Sequence, residues 1–204
     1  MYSQNNEELI ISNYFGSKLG TFLDIGANDG ITLSNTFALV YKSWKGTLVE
    51  ASPLAYERLL KTHPYNYGLV LLNLAVADYN GEIVLHESGE LLGKGDVALV
   101  SSIRDSETER WGSLKIPFND VVVKCVTFEK MLESTKYKTY DFINLDIEGM
   151  ELDVLPQMDL NKLGTKLICV EFNGKQKEKY DELIVPQGFY LVSQNAENLM
   201  YAKK

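Results

Sequence analysis

Short apolar segments that end in an acid or an amide recur along this chain, and amphipathic stretches separate them. The apolar runs 22–25, 47–50, 70–76, 140–146 and 166–172 end in or near Asp24, Glu50, Asn73, Asp146 and Glu171. Between them, residues 7–19, 53–62, 127–134, 149–155 and 176–185 have helical character. A further stretch carries Phe37, Val40, Tyr41 and Trp44 at helical spacing. Ser34 or Asn35 can cap that stretch, and Ser52-Pro53 opens the next as cap and first helical residue. Strand alternating with helix at this spacing predicts an α/β fold of Rossmann-like class: a mostly parallel central sheet with helices on both faces. Strands near 188–193 and 198–203 close it, with an antiparallel C-terminal strand. In such sheets ligands bind beyond the carboxyl ends of the strands, so the polar strand ends are expected to converge on one edge.

The 204 residues are expected to form a single domain, with a leading helix within 1–20 and a variable substrate loop at 88–119. The formal charge of −8 lacks the basic face that a nucleic-acid or anionic-membrane partner calls for. No apolar run is long enough to span a bilayer, and residues 1–19 lack the pattern of a signal peptide. A cytoplasmic protein is expected. Cys125 and Cys169 stand in apolar runs without metal-ligand spacing and read as buried thiols; His63 and His86 read as packing residues, with His86 an outside candidate for a base.

Five constellations carry the chemistry. Asp24-Ile25-Gly26-Ala27-Asn28-Asp29-Gly30 leads from a strand into a glycine turn, but its spacing is not the GxGxxG of a nicotinamide enzyme. Carboxylates at Asp24 and Asp29 suit a cation better than a pyrophosphate, and S-adenosylmethionine carries a sulfonium and an ammonium. Glu50, followed by Ala51, can accept hydrogen bonds from both hydroxyls of a ribose. Asn73 or Asp78 can meet an adenine edge, with Leu74-Ala75-Val76 supplying apolar contact. Asp146, Glu148 and Glu151 crowd the end of an apolar strand, where desolvating a carboxylate is costly unless something compensates it, and Glu171 is expected beside Asp146. Such a pair can hold a substrate hydroxyl, act as base or bind a divalent cation.

In its motifs the chain resembles the FkbM family of S-adenosylmethionine-dependent methyltransferases. The matching stretches, in family order, are Ser3-Gln4, DIGANDG (24–30), SNT (34–36), WKG (44–46), LVEASP (48–53), NLAVAD (73–78), VTFEKML (126–132), DFINLDIEGMEL (141–152) and VEFN (170–173). The resemblance implies a Rossmann-like methyltransferase fold and O-methylation of sugar or secondary-metabolite hydroxyls. It assigns Asp24, Gly26, Asn28 and Glu50 to the cofactor, and Asp146 and Glu148 to the family's hallmark segment. Asn144 departs from the Lys or Ser common at its position.

The resulting expectation is an S-adenosylmethionine-dependent O-methyltransferase that releases S-adenosylhomocysteine. Its cofactor residues are Asp24, Gly26, Asn28, Asp29, Glu50, Ala51, Asn73, Ala75 and Asp146; its catalytic residues are Asp146, Glu148 and Glu171, with no committed metal. The acceptor is expected to be a small molecule or glycan, with a carbohydrate preferred over a non-sugar metabolite. The chain is short for the family, as a domain of a larger glycan-processing enzyme would be. A silent Rossmann-like binding module and a nicotinamide oxidoreductase are the rival readings.

Overall fold

The computed structural model describes residues 2–65, 68–93, 96–112 and 116–204. Seven strands form the central sheet: β1 (Thr21–Ile25), β2 (Lys45–Glu50), β3 (Leu69–Asn73), β7 (Phe142–Leu145), β8 (Leu167–Glu171), β9 (Phe189–Gln194) and β10 (Asn198–Lys203). Their order is β3-β2-β1-β7-β8-β10-β9. The first five are mutually parallel, and β10 runs antiparallel to both β8 and β9. The expected α/β fold with an antiparallel C-terminal strand is therefore present.

Burial on both faces explains the near-continuous apolar runs. Along β8, Leu167 and Cys169 point to one cluster and Ile168 and Val170 to the other. Helices α1 (Glu7–Phe15), α2 (Phe37–Tyr41) and α3 (Pro53–Thr62) cover the first face through Ile11, Phe15, Leu39 and Leu59. Helices α5 (Phe128–Glu133), α6 (Glu151–Val154) and α7 (Lys177–Ile184) cover the second through Phe128, Met131, Val154, Tyr180 and Ile184. Each such side chain contributes about 1.5–3 kcal/mol by leaving water. The Ser52 hydroxyl accepts from the Ala55 amide at 3.0 Å and Pro53 takes the first turn of α3, as the sequence predicts. The Ser34 hydroxyl accepts from the Phe37 amide at 3.0 Å. That helix is shorter than its apolar spacing suggests: Tyr41 is exposed, Trp44 is buried beyond its end, and Leu39 makes the core contact. Gly16 ends α1, earlier than the expected 19.

Two expectations change. The strand read at 70–76 is two strands, β3 and β4 (Ala75–Val76), in different sheets. Its neighbour β2 stops at Glu50, so nothing remains to pair beyond Asn73; Ala75 and Val76 instead pair with Cys125 and Val126 of β6 (Phe118–Val126). With β5 (Gly81–Ser88), β4 and β6 make a separate three-stranded sheet. The segment 88–119, expected to be a loop, also holds α4 (Asp105–Gly112) and the beginning of β6. Among the described residues no helix is long and apolar enough to cross a membrane.

The chain leaves β1 toward β2 and β3, then returns to the other side of β1 as β7. This reversal opens a crevice between the carboxyl ends of β1 and β7.

Candidate active site

A cavity of about 220 Å³ occupies that crevice. Asp24, Gly26, Asn28, Glu50, Ala51, Ala75, Asn144, Asp146, Glu148 and Glu171 line it. Parallel strands end on the same edge of a sheet, so four of the five polar strand ends meet there as expected. Of the predicted site residues, Asn73 and Asp29 do not line the cavity. The Asn73 amide donates to the carbonyls of Glu50 at 2.8 Å and Ala51 at 3.2 Å, which ties off the end of β3. The Asp29 carboxylate accepts from the Ile31 and Thr32 amides and the Thr32 hydroxyl, and so holds the glycine turn.

Both oxygens of Glu50 accept backbone amides, from Asn28 and Ser52, each at 2.7 Å. Burial nevertheless raises its pKa to about 7 against the lowering effect of those bonds. Asp24 is buried at the end of β1, accepts from the Thr36 hydroxyl, and receives the Asn144 amide at 2.9 Å. The Asn144 carbonyl in turn accepts from Asn35 at 2.9 Å. Burial holds the Asp24 carboxyl above its usual range although these two donors pull it down.

Beyond β7 the chain takes an unusual path. Glu148 and Gly149 have φ of +50° and +104°, and the Glu151 carboxylate gathers the amides of Ile147 at 2.7 Å and Gly149 at 3.1 Å. Glu151 thus shapes the loop, and α6 starts two residues later than the expected 149. The loop brings Asp146 and Glu148 to Glu171: one oxygen from each lies within 4.8 Å of the others. Burial first, and then the charge of Asp24, lift Asp146 to about 7 while a hydrogen bond with Glu171 pulls it down. Glu171 stands well above its usual range through burial and the charges of Asp146, Glu148 and Glu151.

The variable segment forms the cavity's outer wall through Leu91, Ala98–Ser101, Ile103 and Trp111. Three contacts pin it. The Asn28 side chain donates to the Val97 carbonyl at 3.0 Å, the Ser102 hydroxyl donates to the Glu148 carbonyl at 2.6 Å, and Arg104 pairs with Asp153. His86 lies outside the cavity, between Asp120 at 2.7 Å and Asp105 at 3.1 Å, so it is no base for this site. His63 is buried at the end of α3, and both cysteines are buried and unpaired. Sequence reasoning missed Asn35, Glu197 and Asn198, which also line the cavity. Asn198 pairs with Glu171 only through the β8·β10 register, for which no local motif exists.

Among the described residues that line the cavity, none is Lys, Arg or His. An acid-lined site fits a cationic ligand, and the sulfonium and ammonium of S-adenosylmethionine supply such charges. Glu50 and the apolar Leu74, Ala75 and Val76 line the same cavity.

The model of the family described as Methyltransferase FkbM domain matches residues 24–190. No curated protein sequence matches the chain significantly. Among solved structures, a precorrin-6y C5,15-methyltransferase from Geobacter metallireducens superposes with a TM-score of 0.56 at 11% identity, covering 100% of this chain and 90% of that one. A ribosomal protein L11 methylase from Lactobacillus delbrueckii subsp. bulgaricus superposes with a TM-score of 0.52 at 13% identity, covering 97% and 77%. At these identities the likeness speaks for the fold alone.

Proposed function

The chain belongs to the FkbM methyltransferase family, whose chemistry is S-adenosylmethionine-dependent methyl transfer, and we propose that here the methyl group goes to a hydroxyl oxygen of a sugar or glycan. The observation that carries this reading is the carboxyl pair Asp146–Glu171, set in the acid-lined cavity at the turning point of the sheet. A hydroxyl becomes a competent nucleophile as its proton is shared, and a carboxyl raised to about 7 is matched to that task near neutral pH.

When bound, the cofactor supplies a methyl group on a sulfonium, whose carbon–sulfur bond breaks as the carbon–oxygen bond forms, leaving S-adenosylhomocysteine. The protein's part is position and proton transfer. Glu50 would hold the ribose hydroxyls, and Leu74, Ala75 and Val76, which line the same cavity, would offer apolar contact to the adenine. Asp24, Gly26, Asn28 and Ala51, which line the cavity, would help to hold the cofactor. Asp146 takes the hydroxyl proton, with Glu171 as its hydrogen-bonded partner and Glu148 orienting the acceptor. A base so placed contributes roughly 10²–10⁴-fold. The variable segment, pinned over the crevice, limits water at the site.

A carbohydrate acceptor is favoured by Trp111 in the cavity wall, with Asn173, Glu197 and Asn198 among the residues that line the same cavity. An aromatic face packs on the C–H surface of a sugar ring while polar side chains meet its hydroxyls. The test is calorimetric titration with S-adenosylmethionine, S-adenosylhomocysteine and NAD, followed by turnover with free sugars, glycans and polyketide alcohols. Binding of the first two without NAD, then methylation of a sugar, is the expected result. Methylation of the polyketide alcohols alone would replace the acceptor, and absence of cofactor binding would leave a silent module.

A further inference from the structure

A second cleft, of about 410 Å³, adjoins the acid-lined cavity. The loop beyond β7 divides them: Glu148 and Met150 line the first, Gly149 and Glu151 the second. Along the variable segment Ile103 lines the first and Arg104 the second, and Asn173 lines both. Asn173 follows Glu171 by two residues, a length of chain that spans at most about 7 Å. A hydroxyl at the Asp146–Glu171 pair and a group in the second cleft can therefore belong to one small molecule.

Arg104, Lys175 and Lys179 line this cleft from three places in the chain: the variable segment, the turn after β8 and the first turn of α7. The Ser102 hydroxyl accepts from the Arg104 amide at 3.0 Å and donates to the Glu148 carbonyl at 2.6 Å, so the backbone that carries Arg104 is tied to the dividing loop. Two acids line the cleft as well, and both are engaged. Glu151 accepts the Ile147 and Gly149 amides, and Asp153 pairs with Arg104. A guanidinium offers five N–H donors in a fixed fork, so Arg104 can serve Asp153 and a further anion together. Lys175 and Lys179 are exposed, and side chains of their length can turn toward a ligand.

We propose that this cleft receives a phosphoryl group carried by the acceptor, so that the hydroxyl methylated at Asp146 belongs to a phosphorylated sugar, as a sugar phosphate or a nucleoside diphosphate sugar. A guanidinium meets phosphoryl oxygens through paired N–H bonds, and ammonium groups add point charges to the same anion. Holding the acceptor at its charged end orients the hydroxyl at the other toward the carboxyl pair. The inference deepens the O-methylation reading and rests on it for the reacting hydroxyl.

The test is calorimetric titration of the full chain, at low salt, with four probes: methyl glucoside, inorganic phosphate, glucose 1-phosphate and UDP-glucose. At least one of the two phosphorylated sugars should bind about tenfold or more tightly than methyl glucoside and than phosphate. Arg104→Gln and Lys179→Gln should each weaken that binding, and the double variant should remove the advantage over methyl glucoside. Lys179 is exposed on α7, so its variant keeps the fold even if Arg104→Gln loosens the variable segment. Equal affinity for the phosphorylated sugars and methyl glucoside, or an unchanged advantage in the double variant, overturns the cleft. Phosphate binding as tightly as both phosphorylated sugars makes it a site for the free anion and overturns the acceptor assignment. S-adenosylhomocysteine is titrated in parallel: if it binds while the phosphorylated sugars show no advantage, the cleft fails alone, and if neither binds, the methyltransferase reading fails with it.

Discussion

Gly26 and Asp146 meet backbone to backbone: φ at residue 26 is +89°, and a Cβ there would stand 1.6 Å from the Asp146 carbonyl oxygen. The glycine is therefore required by the neighbouring loop of the protein itself. The contact locks the cofactor-side turn to the acid-rich segment, so the two halves of the site share one geometry. Gly26→Ala is expected to destabilise the fold by roughly 3 kcal/mol or more, through both the positive φ and the clash. Chemical denaturation measures this, and a variant as stable as the parent would contradict the packing.

Asn144 supplies a neutral donor between Asp24 and Asn35. Asn144→Asp replaces that donor with a second acceptor beside a buried carboxylate. Stability should fall by about 2–3 kcal/mol at pH 7.5, the cost of an unpaired buried polar group. Part of the loss should return at pH 5, where one of the two carboxyls can hold a proton. Denaturation at the two pH values reads both effects; equal losses at both would remove the charge explanation.

Glu50 gives the protein a pH dependence of definite sign. Its carboxyl titrates near 7 when folded, against 4.5 for an ordinary glutamate. Below both values the folded and unfolded states are equally protonated and the full contribution is present. As pH rises from 4.5 the unfolded chain ionises first, so stability drains away until about pH 7 and then levels. The shift corresponds to up to about 3 kcal/mol. Melting temperatures of the parent should fall from pH 5 to 7, and Glu50→Gln should flatten that slope. The same variant should bind S-adenosylhomocysteine at least tenfold more weakly, roughly 1.4 kcal/mol, if the ribose hydroxyls rest on this carboxylate. Parallel slopes in parent and variant would show that Glu50 is not the titrating group.

Asp146→Asn separates chemistry from binding. The amide keeps the size and loses the capacity to take a proton, so turnover should drop by roughly 10²-fold or more. Affinity for S-adenosylhomocysteine should stay within a few-fold. Single-turnover kinetics together with calorimetry make the split visible. Full activity in the variant would transfer the base role to Glu171.

Much of the site was legible because parallel strands share a direction. Once the apolar runs were read as strands of one sheet, Asp24, Glu50, Asp146 and Glu171 had to end on one edge, and all four line the cavity. Local chemistry was equally readable at Ser52-Pro53, where cap and first helical residue depend only on neighbours in sequence. Asn73 and Asp29 had the residue types of ligand contacts, yet their bonds go to backbone atoms, Asn73 across to the end of β2 and Asp29 within its own turn. Residue type does not reveal which partner comes within 3 Å.

What the sequence determined by itself is the periodicity, and with it the layered α/β fold, the ligand edge and the acids that stand on it. Tertiary structure decided the rest through long-range pairing. It split 70–76 between two sheets because β2 ran out at Glu50. It folded 96–112 over the cavity through contacts at Asn28, Glu148 and Asp153. It set Asn198 opposite Glu171, although the two are far apart in the chain, because an antiparallel register is fixed by pairing strands and by no pattern within either one.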